Sequence, residues 1–187
     1  MGNGEEKREI IFKALSNYFG NSVEVVTKKR TATGSHDDFL SADMYNPELD
    51  IWVGPTNMKR NIQEDNKSIN QALHKYGNFL RDLNQLAEKP YNEDCLNKNP
   101  RFFLAIEVGG SGSKKHLLGE MFNVSILGKI GIIISANNET HATYMRHYNY
   151  IDFAQNVDKI PNLLGNIMII KSDVVLDYLK NNKKYGR

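Results

Sequence analysis

Apolar and polar positions along this chain change period repeatedly, and the changes mark its elements. Over residues 5–19, Ile10, Ile11, Ala14, Leu15 and Tyr18 recur at helical spacing, and Gly20-Asn21 supplies a stop. Ser22 to Lys28 turns to a β-rich run around Val23, Val25 and Val26, followed by a polar loop from Thr31 to Asp38. Leu49-Asp50-Ile51-Trp52-Val53 predicts a second strand, closed by Gly54-Pro55. Residues 62–88 carry the clearest helical pattern: Ile69, Leu73, Tyr76, Leu80, Leu83 and Ala87 recur every three or four positions, and Gly77 is a natural break into two helices. Pro90 and the Asn/Lys-rich stretch to Pro100 end it.

The strongest strand is Phe102 to Val108, which runs into Gly109-Gly110-Ser111-Gly112-Ser113. A helix then begins near Lys114, carries Leu117, Leu118, Met121 and Phe122 on one face, and ends by Gly128. Ile130 to Ser135 has the continuous apolar character of a strand buried on both faces. Residues 152–164 read as a helix, Ile167 to Ile170 as a strand and 173–180 as a last helix. This order, without repeats, predicts one α/β domain over residues 1–187: a mixed central β-sheet flanked by helices, with a helical insertion at about 58–98. The 62–88 stripe is expected to pack on the core; its alternative use is a homodimer face that would let two sites cut both strands of a duplex.

Composition narrows the class. A length of 187 residues suits one core without staples, and 40% hydrophobic with 25% charged residues excludes a disordered, collagenous or mucin-like chain. The longest strongly apolar run, Ile130 to Ile134, is far short of the ~20 residues of a membrane span, so no membrane partner is expected. The opening Met1 to Glu6 lacks an apolar core behind a basic head, unlike a secretory signal. Cys95 is the sole cysteine, which rules out an internal disulfide and points to a reducing cytoplasm. The net charge of +2 neither forbids nucleic acid nor argues for it, although positives cluster at Lys28-Lys29-Arg30, at Lys114-Lys115 and in the tail.

Two acids are out of place. Glu107 lies within the most apolar strand, where a charge is costly unless it is paired or bound to a cation, and period-two alternation puts it on the face of Phe103 and Ala105. Asp50 opens the apolar run Ile51-Trp52-Val53. If the two strands are neighbours, two carboxylates converge at one sheet edge, as a Mg²⁺ site acting on a phosphodiester requires; each acid singly is as readily a strand cap or a lysine's partner. The glycine-rich loop matches neither G-x-x-x-x-G-K-[ST] nor G-x-G-x-x-G, since Lys115 stands where the latter needs glycine, but it leaves a generic anion site at the helix start. Lys114 flanks the buried face of that helix and tips back toward the Glu107 strand, whereas Lys115 lies about 100° around it and reads as solvated. His116 either contacts a phosphate or faces solvent, and His141 and His147 are not one helical turn apart, so they make no metal pair. Tyr144, Arg146, His147, Tyr148 and Tyr150 read as packing or as an aromatic, basic surface for nucleic acid.

From about residue 5 to 135, the helix, the three strands including those of Asp50 and Glu107, the following helix and the buried strand resemble the PD-(D/E)XK nuclease superfamily, the restriction-endonuclease-like fold. The resemblance implies that Asp50 and Glu107 hold Mg²⁺, with Mn²⁺ as a substitute, and that an acid of the first helix, Glu6, joins them. The family's lysine two residues after the second acid is replaced by Gly109, and Lys114 would stand in for it. Asp50 follows Leu49 rather than proline, with Pro47 three residues upstream. The implied activity is a Mg²⁺-dependent endonuclease that hydrolyses DNA, with Lys28, Lys29, Lys115 and His116 on the phosphates. The alternatives are a non-catalytic module of this fold that binds nucleic acid or protein, and a small α/β enzyme that takes a phosphorylated ligand on the glycine-rich loop.

Overall fold

A strand buried along its whole length needs cover on both faces, and Phe102–Gly109 is such a strand. The structure, a computed structural model, describes residues 3–27, 48–56, 62–161 and 163–182. The elements are α1 (Asn3–Phe19), β1 (Val25–Thr27), β2 (Ile51–Thr56), α2 (Ile62–Lys75), α3 (Gly77–Leu86), β3 (Phe102–Gly109), α4 (Lys114–Leu127), β4 (Gly128–Ser135), α5 (Asn138–Asn156), β5 (Ile167–Lys171) and α6 (Ser172–Asn181). The five strands form one mixed sheet in the order β1-β2-β3-β4-β5; β2 is antiparallel to both β1 and β3, and β4 is parallel to β3 and β5.

Helices cover both faces. On one, Ile11 and Phe19 of α1, Ile69 of α2, Phe79 and Leu80 of α3 and Leu179 of α6 pack on Ile106, Ile132 and Met168. On the other, Leu117, Met121 and Val124 of α4 and Tyr144 and Ile151 of α5 pack on Ala105, Ile133 and Ile169. Burial of this kind contributes roughly 1.5–3 kcal/mol per large side chain. The apolar stripe of 62–88 divides at Gly77 as its sequence suggests, and Ile69, Tyr76, Phe79, Leu80 and Leu83 are buried in the core, so this stripe is not free to serve as a dimer face.

Three local readings are corrected. The helix placed at 152–164 is α5 and begins at Asn138, with the Asn137 side chain accepting from the Thr140 N–H. Its first turns bury Thr140, His141, Thr143 and Tyr144, a polar face that carries no apolar stripe to read. Gly54-Pro55 does not close β2, which runs on to Thr56 through a register shift against β3. Gly54 adopts φ 94° there, with the Phe103 ring where a side chain would stand, so the position favours glycine twice over. Beside this irregularity Phe103 packs with α1 and α2, and it does not share the face of Ala105.

Two buried polar groups away from the cleft, Asn166 and Lys89, are matched, whereas His147 Nε2 and Gln155 Nε2 on α5 are buried without a hydrogen-bond partner. Asn166 donates to the Ser125 and Gly128 carbonyls and accepts from the Ser125 hydroxyl, which also donates to the Leu163 carbonyl. The Lys89 ammonium donates to the Leu164 and Ile167 carbonyls at 3.2 and 2.7 Å and lies over the Tyr148 ring. Burial lowers its pKa to about 8.

Candidate active site

The antiparallel register of β2 and β3 sets Ile51 against Ile106, which brings Asp50, one residue earlier, opposite Glu107. Both line a cavity of about 860 Å³, open to solvent. Its walls come from the first turns of α1 (Gly4, Glu5, Arg8), the entry to β2 (Glu48, Leu49, Asp50), the end of β3 and the loop after it (Glu107, Val108, Gly110, Ser111), and one face of α4 (Lys115, His116, Gly119, Glu120, Asn123).

Asp50 is held from three sides. Its Oδ2 accepts from the Val108 N–H at 2.9 Å, its Oδ1 from Arg8 Nη1 at 2.7 Å, and its carbonyl from the Thr27 hydroxyl. Arg8 also reaches Glu5 at 3.5 Å. Glu107 is only 5% exposed. Burial pushes its carboxyl well above the usual range, and the neighbouring Asp50 and Glu120 carboxylates push it the same way. Glu120 is buried as well, and its two oxygens are both engaged: Oε2 accepts from the Tyr144 hydroxyl, and Oε1 lies 3.0 Å from His116 Nε2. Burial raises the Glu120 carboxyl, against the Tyr144 hydrogen bond and the His116 charge, which lower it. Burial, reinforced by Glu120, raises the Tyr144 phenol.

Of the residues singled out from the sequence, Asp50, Glu107, Lys115 and His116 line the cavity. Lys114 does not; it is exposed on the first turn of α4, and Lys115, exposed as well, is the one that borders the cavity. Glu6 is exposed, and its helix presents Glu5 and Arg8, three residues apart, to the cavity instead. Lys28 and Lys29 lie outside the described residues. Sequence reasoning missed Arg8 and Glu120, and it read Tyr144 as packing or as part of a nucleic-acid surface rather than as the partner of Glu120. Glu120 had a signal, a lone acid four residues after His116 inside an apolar helix. The reason for Gly109 is now visible: a Cβ there would collide with the Tyr144 hydroxyl and ring, so the phenol fills the space of a side chain at 109.

Among the described residues, no group of three or more His, Cys, Asp or Glu side chains is arranged to hold a metal ion. The Asp50–Glu107 pair nonetheless fits a hard cation of the Mg²⁺ type, which takes one or two carboxylates and completes its shell with water and phosphate oxygens. Its donors are all oxygen, and Glu107 is crowded by like charge that a cation would relieve. No helix among the described residues is long and apolar enough to cross a membrane. No family model matches this chain, and neither do the curated proteins or solved structures with which it was compared.

Proposed function

We propose that the cleft hydrolyses phosphodiester bonds in DNA with the help of a divalent cation, on a restriction-endonuclease-like fold. The observation that carries this reading is the buried Glu107, set beside Asp50 and Glu120 on the floor of an open cleft that Arg8, Lys115 and His116 also line. The run α1-β1-β2-β3-α4-β4, with β4 parallel to β3, supports it, since that is the order the family resemblance implies.

Asp50 and Glu107 would hold Mg²⁺ or Mn²⁺, whose chemistry is to lower the pKa of water and to neutralise charge on the phosphate. The Val108 N–H fixes the Asp50 carboxylate in orientation, and the wall of β3 keeps Glu107 away from bulk water. Arg8 balances Asp50 in the free protein and, from the same position, is within the cleft that the phosphate would enter. Lys115 would meet the phosphate at the rim, so binding weakens as salt rises.

Supercoiled plasmid incubated with Mg²⁺, Mn²⁺ or EDTA tests the reading. Cutting that needs metal and disappears in Asp50→Ala and Glu107→Ala is the expected result; no cutting with any metal would sink it. One observation favours a second reading. Arg8 already neutralises Asp50 at 2.7 Å, as in a structural ion pair, which suits a module that binds nucleic acid or protein without cutting it. Metal-independent DNA binding without strand scission would select that alternative.

A further inference from the structure

The cleft contains a polar chain that the metal-ligand pair does not use. Tyr144, fully buried on α5, donates to Glu120; Glu120, buried on α4, spends its other oxygen on His116 Nε2 at 3.0 Å; and the His116 side chain, 65% exposed, lines the cavity. An exposed histidine–glutamate pair one turn apart on a helix is ordinarily a minor surface contact. Here the glutamate is inside the protein and is anchored from behind by a phenol. A carboxylate with two donors on it, one per oxygen, fixes the imidazole as the tautomer with its proton on Nε2. That leaves Nδ1 as an unprotonated acceptor on the neutral ring. The same phenol occupies the room at Gly109, so the chain has exchanged a side chain at that position for this support.

Resting on the phosphodiesterase reading above, we propose that His116 is the group that accepts the proton of the attacking water, with Glu120 and Tyr144 as its positioning residues. The water oxygen forms its bond to phosphorus as its proton passes to His116 Nδ1. The phosphorus–oxygen bond of the leaving group breaks, its electron pair stays with that oxygen, and the oxygen takes a proton from solvent. The imidazolium, balanced by Glu120, then releases its proton to water. Tyr144 keeps the carboxylate turned toward the ring throughout.

The test is kinetic, on the full chain with plasmid and Mg²⁺. His116→Ala should lower kcat by about 10²-fold, the usual scale of a general base, and added imidazole should restore part of it. Glu120→Gln and Tyr144→Phe should lower kcat by about tenfold or less, with KM nearly unchanged, because they act on the base and not on substrate binding. Thermal denaturation checks that the two buried variants fold; His116, being exposed, tests the base even if they do not. A His116→Ala enzyme as fast as wild type, or one slowed without rescue by imidazole, would overturn the inference. So would folded Glu120→Gln and Tyr144→Phe variants with unchanged kcat. A wild-type protein that does not cut overturns the reading of the cleft itself, and with it the role of His116, a result plainly distinct from the others.

Discussion

Two buried polar clusters stand on the same face of the sheet and are built on opposite terms. Ser125 and Asn166, near the start of β4, are neutral, and their four hydrogen bonds join three carbonyls and each other. Asp50, Glu107 and Glu120, at the far end of β3, are three acids in one place, and Glu107 is pressed by the other two. The first cluster is a stitch: each group satisfies a neighbour, and neither residue lines the open cleft. The second opposes its own folding unless a proton or a cation enters. Among polar groups of equal burial, it is the unfavourable set that points to chemistry.

Substitutions can break this contrast, starting with the largest effect. Glu107→Gln should reduce metal-dependent plasmid cutting by at least about 10²-fold, yet raise the denaturation midpoint in EDTA. Because the folded state binds the Glu107 proton more tightly than the unfolded chain does, stability should fall as pH rises above the ordinary carboxylate range. The glutamine variant should lose that part of the slope, and Mg²⁺ should stabilise wild type only. Midpoints that drop in Glu107→Gln at every pH would make Glu107 a structural acid like any other.

Asn166→Ala should act in the opposite sense, costing about 2 kcal/mol in urea denaturation by removing a donor from the Gly128 carbonyl and one of two donors from the Ser125 carbonyl, which keeps Asn97 Nδ2. Lys89 is an intermediate case, a buried charge held by carbonyls. The unfolded lysine binds more protons than the folded one from pH 8 to 10.5, so wild type should gain stability over Lys89→Met across that window, by at most on the order of 3 kcal/mol. A constant difference between the two proteins would contradict this. Gly109→Ala should cost about 2 kcal/mol by driving Tyr144 off Glu120, and Tyr144→Phe should relieve part of the penalty in a double-mutant cycle. Glu6→Ala, outside the cleft, should move stability by less than about 0.5 kcal/mol and leave cutting unchanged.

What could be read from the sequence follows from what periodicity records. The strands of Asp50 and Glu107 were legible because a charge interrupts an apolar run there, and α2 and α3 because their stripes are apolar. The beginning of α5 was not, since its buried face is Thr140, His141, Thr143 and Tyr144 and gives no hydrophobic period. Lys115 and Glu5 line the cavity where Lys114 and Glu6 do not, a difference of one position, which on a helix is about 100°. The part played by Tyr144 depends on a contact with Gly109 thirty-five positions away, and no local pattern encodes a contact of that kind.

The stretch from Glu88 to Asn92 has a consequence for how this protein meets its own copies. The N–H groups of Glu88 and Lys89 donate to the Ile169 carbonyl, the Ile169 N–H donates to the Lys89 carbonyl, and the Asn92 N–H donates to Gly165. These bonds cap the outer margin of β5, the edge strand, where unpaired backbone groups would otherwise invite a foreign strand. At Ile169 the outward backbone groups of β5 are therefore already taken, so a foreign strand finds no free backbone partner at the middle of that edge.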